Sequence, residues 1–201
     1  WQNQPIIRVR KRQIFFINIS AGVGGKCSME GKRLTSYAME ELECPKCGHK
    51  HSLKKYKVIN VTEKAKLKEE IMKNRLYQFS CEECEYMAPL TYDSLYVDSR
   101  KNIMIYMAPV MNAEIKVEIA ELEQEKGIDK RLVDNINDLK EKIMIVDNHL
   151  DDRVIEIIKI MYLDQIKKEM EDDTLLNILF DYNRDNYCFL VFFQKKGIGK
   201  I

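Results

Sequence analysis

The sequence predicts an α+β protein: a zinc-ribbon-like β unit with an inserted helix, then a mainly helical part and a C-terminal β-hairpin. Three observations carry this. Two C-x-x-C pairs, Cys44-Pro-Lys-Cys47 and Cys81-Glu-Glu-Cys84, are separated by 33 residues. Apolar positions recur at helical spacing between Ile136 and Met161. Two apolar runs, Leu175–Tyr182 and Tyr187–Phe193, bracket Asn183-Arg-Asp-Asn186 as a hairpin brackets its turn.

Residues 40–60 read as a knuckle and a hairpin, with Tyr56–Val61 strand-like. Thr62 is positioned to cap a helix running to about Arg75, with Leu67, Ile71 and Met72 on one side of a Lys/Glu surface. Leu76–Phe79 then leads as a strand into the second knuckle. Ala88–Tyr92 and Ile103–Met107 read as strands, with a turn near Asp98–Asn102. Residues 113–126 fit either period, Ile115-x-Val117-x-Ile119 for a strand or Ile115, Ile119 and Leu122 for a helix; the Glu-rich end favours helix. Ile136, Leu139, Ile143 and Val146 mark another helix. Asp151-Asp152 cap a longer one with Val154, Ile157, Ile158 and Met161 inward.

These elements divide the chain into a leader (1–38), a metal-binding β unit (39–110) and a helical half with a terminal hairpin (111–201), the last two packed as one domain. The leader begins at Trp1 and carries seven basic residues against Glu30, while the remaining 163 residues are net −5. Its Arg8–Arg12 run followed by Ile14–Ile17 is a poor imitation of an export signal, since Asn18 breaks the apolar stretch and Lys26 spoils a cleavage site before Cys27. The reading is that native sequence starts at Met29 or Met39, in a reducing, cytoplasmic compartment. The longest strongly apolar run is Cys188–Phe193, far short of the ~18 residues a membrane helix needs. The acidic body argues against generic affinity for nucleic acid or anionic lipid.

Chemistry concentrates in the cysteines. A C-x-x-C turn aims two thiolates at one point, and two such turns complete a tetrahedral four-sulfur cage. Pro45 stiffens the first turn, and Gly48 supplies the backbone freedom needed after the second ligand. Cys44, Cys47, Cys81 and Cys84 are therefore candidate ligands, with Zn²⁺ the expected occupant and iron, in a redox carrier, the alternative. His49 and His51 read as polar residues of a hairpin loop, His149 has no obvious partner, and Cys188 reads as a small buried hydrophobe in a strand. A basic stretch offers a second candidate. Residues 44–78 are net +7, and Lys46, Lys50, Lys54, Lys55, Tyr56 and Lys57 could track phosphates and stack on a base. The competing reading is that these lysines offset a cage of charge −2. No Ser/His/Asp arrangement or HExxH motif supports catalysis, and Gly22-Val-Gly-Gly25-Lys26 lacks the spacing of a phosphate loop, so no enzyme is expected.

The arrangement resembles the CpXC domain family, named for its cysteine–proline–x–cysteine motif. The resemblance rests on Cys44-Pro-Lys-Cys47-Gly48, Val58-Ile-Asn-Val61, Leu67-Lys-Glu-Glu-Ile71, Phe79-x-Cys81-x-x-Cys84, Leu95-Tyr-Val-Asp98 and Ile105-Tyr-Met-Ala-Pro109. It continues through Arg131–Leu139, Glu141–Ile143 and Leu150–Glu156, covering about residues 42–170. It implies a bacterial or archaeal protein whose four cysteines bind a metal, and it implies no activity. Glu82 and Glu85 stand where the family pattern has Pro and Gly, which predicts a looser second turn. The functional expectation is a module in which zinc is purely structural and which acts through a protein partner, with nucleic-acid binding as the alternative.

Overall fold

A computed structural model describes residues 33–169, 174–183 and 186–194. The basic Arg8–Arg12 run, the Gly22–Lys26 stretch and Cys27 lie outside them. The chain is α+β, with its main sheet ahead of a helical stretch and a closing hairpin, as the residue pattern predicts.

β1 (Ser36–Glu43) and β2 (Lys50–Asn60) form an antiparallel hairpin. A short helix α1 (Lys66–Met72) leads through a 3₁₀ turn at Arg75–Tyr77 into the small hairpin of β3 (Gln78–Ser80) and β4 (Met87–Pro89). β5 (Ser94–Asp98), β6 (Ile103–Met107), α2 (Ala113–Glu123), β7 (Asp129–Val133) and α3 (Ile136–Asp147) follow. The main sheet has the order β1-β2-β5-β6-β7. Its β2–β5 and β6–β7 pairs are parallel, so each needs a crossover. The first crossover carries α1 and the β3–β4 hairpin; the second carries α2.

β5 and β6 are buried along their whole length, and alternation sends their side chains to opposite faces. Tyr96, Ile103, Ile105 and Met107 pack with Ile59, Leu67, Ile71, Leu139 and Ile143, which seats α1 and α3 on one face. Leu95, Val97, Met104 and Tyr106 pack with Ile115, Leu122 and Ile128, which seats α2 on the other. Polar groups pin the turns. Asp98 accepts from the Arg100 N–H, Asn112 and Asn135 cap α2 and α3, and buried Lys130 donates to the carbonyls of Glu123 and Glu125 at the end of α2.

Several sequence expectations are corrected. The helix after β2 starts at Lys66 without a side-chain cap, because Thr62 Oγ1 accepts instead from the Ser99 N–H at 2.8 Å and belongs to the sheet end. The strand into the second knuckle begins only at Gln78, and the next ends at Pro89. β7 escaped the sequence reading altogether. β1 begins at Ser36, three residues ahead of Met39, and Thr35 N–H already donates to Glu63. The knuckle cysteines lie in a compact unit that extends to Ile155.

Residues from Glu156 onward belong to a second unit. The helix that leads into it, α4 (Asp152–Glu169), starts after Asp151, whose Oδ1 accepts from the Arg153 N–H at 2.9 Å. Among its described residues Asp152, Ile155 and Lys159 are buried, whereas Val154, Ile157 and Met161 are exposed. The Lys159 stem supplies apolar surface while its ammonium meets Glu156 at 3.1 Å, so the buried stripe is offset from the purely apolar one. The terminal hairpin forms as expected, from β8 (Thr174–Asn183) and β9 (Asn186–Gln194), around Phe180 and its ring contacts with Tyr187 and Phe189. Cys188 lies half-buried on β9, opposite Asp181. No helix among the described residues is long and apolar enough to cross a membrane.

Candidate metal centre

Each C-x-x-C pair is the tip of a hairpin. Cys44 follows the last residue of β1 and Cys47 precedes β2; Cys81 follows β3 and Cys84 precedes β4. The two turns close with the same pair of backbone bonds. In the first, Cys44 N–H donates to His49 O and Gly48 N–H to Cys44 O, both at 2.8 Å. In the second, Cys81 N–H donates to Tyr86 O at 2.8 Å and Glu85 N–H to Cys81 O at 3.0 Å. The residue after the second cysteine is left-handed in both, Gly48 at φ 73° and Glu85 at φ 57°. The second turn is thus not looser than the first. Glu85 adopts the glycine conformation and carries its steric cost.

The four sulfurs lie within 4.8 Å of one another. Cys44 Sγ is 3.6 Å from Cys84 Sγ, and Cys47 Sγ is 3.6 Å from Cys81 Sγ. A tetrahedron with Zn–S bonds of about 2.3 Å has S···S edges of about 3.8 Å, so the spacing suits a bound ion; a disulfide would need about 2.05 Å. Cys44 and Cys81 are buried, Cys84 half-buried and Cys47 exposed. They rest on a small apolar cluster of Phe79 with Leu42, Leu53, Tyr86 and Leu90. Leu90 also packs against the main core, which fixes the knuckles to the sheet.

Electrostatics distinguish the thiols. Burial pushes Cys44 up, but the N–H groups of Cys47 and Lys46 and the neighbouring thiols outweigh it and bring it down to about 7. For Cys47 the His49 N–H lowers the value, yet burial and the three other sulfurs win and push it up to about 12. Burial also raises Cys84 against the Tyr86 N–H. These N–H groups are the donors that a C-x-x-C turn directs at its sulfurs, and a bound cation would draw the remaining protons off.

His51 is the residue the sequence reading misplaced. It sits on β2, not in the loop, opposite Leu42 in register, and its Nε2 lies 3.2 Å from Cys81 Sγ. Its ring meets Phe79 edge-on with centroids 5.3 Å apart. His49 is exposed, with Nε2 4.0 Å from Glu83 Oε1. The alternation Leu42, His51, Leu53 on the cage-facing side of the hairpin is the signal that marks His51, but only once the strand pairing is known.

Of the basic stretch, Lys46 lies in the first cysteine turn and the others land on β2. Lys50 and Lys54 are exposed, opposite Glu43 and Met39, and Lys54 Nζ sits 4.4 Å from the centre of the Tyr37 ring. Lys55 is paired with Glu40. Tyr56 is half-buried against the main core and touches Tyr37, and Lys57 is exposed. β1 therefore sets Glu40, Glu41 and Glu43 beside the basic strand, a charge balance that counting residues 44–78 alone overlooks.

Sheet, crossovers and cysteine pairs define the chain as an α+β protein with a four-sulfur cluster able to hold a metal ion on two facing hairpins. The model of one family, CpXC protein, matches residues 42–159, and the chain belongs to that family. No curated protein and no solved structure matches it.

Proposed function

We propose that this CpXC protein binds one Zn²⁺ through Cys44, Cys47, Cys81 and Cys84, and that the ion is structural. The observation that carries this is the closure of the cage: four sulfurs at near-tetrahedral spacing, held by two stiff turns that project from separate hairpins. Such an ion has no open position for water or substrate, so the metal cross-links the β1–β2 and β3–β4 hairpins and performs no catalysis. The thiol cluster fits a reducing, cytoplasmic setting. The protein then works as an interaction or regulatory module through a protein partner. β1 supports this: among the described residues it is an edge strand of eight residues, paired with β2 on one side, that exposes Tyr37 and Met39. The acid-balanced lysines of β2 weigh against nucleic acid as that partner.

Cys44→Ser and Cys81→Ser test the cross-link. Each is expected to lose the bound zinc and to release the knuckle amides to hydrogen exchange while the β5–β6 core stays protected. Retention of one zinc per chain with unchanged exchange in both variants would contradict the assignment.

A further inference from the structure

The four sulfurs do not sit in equivalent surroundings. The first knuckle brings Lys46, whose Nζ donates to the Cys84 carbonyl at 3.3 Å, whereas the second carries Glu82, Glu83 and Glu85. A four-thiolate zinc cage has a net charge of −2, and acidic neighbours make the nearby sulfurs more electron-rich. Cys81, like Cys44, is buried in the apolar cluster, where charge is poorly screened. It is also the sulfur that has an imidazole nitrogen at hydrogen-bond distance.

We propose that His51 is the outer-sphere partner of the zinc site: an imidazole that donates its Nε2–H to the Cys81 thiolate, draws charge from that sulfur and shields it from electrophiles. This rests on the zinc reading above and adds a residue to it. Strand geometry makes the contact specific. His51 shares a face with Leu42 and Leu53, and the T-shaped contact with Phe79, two residues before Cys81, fixes the ring plane so that Nε2 points at the sulfur. His51 does not replace a cysteine ligand, because the four thiols already complete the tetrahedron. Outer-sphere donors of this kind change metal affinity by about 10- to 100-fold.

The test compares full-length wild type with His51→Phe and His51→Gln. Phe keeps a ring against Phe79 but removes the donor; Gln keeps an N–H donor. Zinc affinity is read by competition with a chromophoric chelator, and thiol reactivity of the zinc-loaded protein by alkylation with N-ethylmaleimide. Co²⁺ loading reports the ligand set by its thiolate-to-metal absorption. The expected result is ~10- to 100-fold weaker zinc binding and faster alkylation at Cys81 in His51→Phe. His51→Gln should recover part of both, and all three proteins should share one four-thiolate Co²⁺ spectrum. Wild-type affinity and alkylation rate in His51→Phe would overturn the role of His51 and leave the zinc site standing. A Co²⁺ spectrum in wild type that loses a nitrogen ligand in His51→Phe would overturn it too, by making His51 a direct ligand. Failure of the wild type itself to hold zinc or cobalt would bring down both readings.

Discussion

Gly48 and Glu85 occupy the same position in two turns of the same shape, one with the residue the geometry favours and one without. A side chain at φ near +60° costs about 1–2 kcal/mol, part of which glycine returns through its freer unfolded state. Glu85→Gly is therefore expected to stabilise the chain by about 1 kcal/mol, and Gly48→Ala to destabilise it by a similar amount. A Cβ on Gly48 would meet Glu43 Oε1 only at 3.5 Å, so the penalty lies in the backbone and not in a clash. Denaturant midpoints of the zinc-loaded proteins measure both; a destabilised Glu85→Gly would show that the carboxylate does something the turn requires. The cysteines were legible at this scale because ligand spacing lies within five residues. The role of His51 was not, because its sulfur is 30 positions away and meets it only when two hairpins dock.

Elements are tied by a few ion pairs whose loss has a predictable pH signature. Arg131 on β7 holds Asp152, at the start of α4, through Nε–Oδ2 and Nη2–Oδ1 contacts of 2.5 and 2.7 Å, and Lys142 on α3 adds a third at 3.4 Å. Burial raises the Asp152 carboxyl, but the Arg131 hydrogen bonds and the Lys142 charge outweigh it and hold the folded value below the ordinary one. The stabilisation is thus complete above the unfolded value of about 3.9 and is lost as pH falls through the folded value. Asp152→Asn should cost on the order of 3 kcal/mol at pH 7, with the gap from wild type narrowing below about pH 4. Chemical denaturation from pH 3 to 7 measures this, and a gap independent of pH would refute the linkage. The same network explains why β7 was invisible in the sequence. Its inward positions are Lys130 and Val133, and a lysine that buries its stem to cap α2 reads as surface. α3 was legible from its apolar periodicity, whereas the residues of α2 fit either period and only their Glu-rich end pointed to helix; the Asn112 and Asn135 caps emerge with the structure. α4 misled because its exposed side is as apolar as its buried one.

For the whole molecule, the cysteine cage and the main sheet are one construction. The β3–β4 hairpin is inserted in the β2–β5 crossover, and the metal site staples it back onto the β1–β2 hairpin that the crossover leaves behind. The sequence revealed the two ends of that staple and the closing hairpin, since both depend on local spacing. It concealed the mixed order of the sheet, because the pairing of β2 with β5 joins segments more than thirty residues apart. Residue counts over 44–78 also leave out the glutamates that β1 sets beside the basic strand, of which Glu40 pairs with Lys55. The central claim is that this fold closes around a structural ion. Elemental analysis of the full chain, purified without added metal under reducing conditions, tests it most directly. One zinc per chain, lost in Cys44→Ser, is the predicted result. Iron with thiolate absorption, or a metal-free chain with unchanged hydrogen-exchange protection of both knuckles, would contradict it.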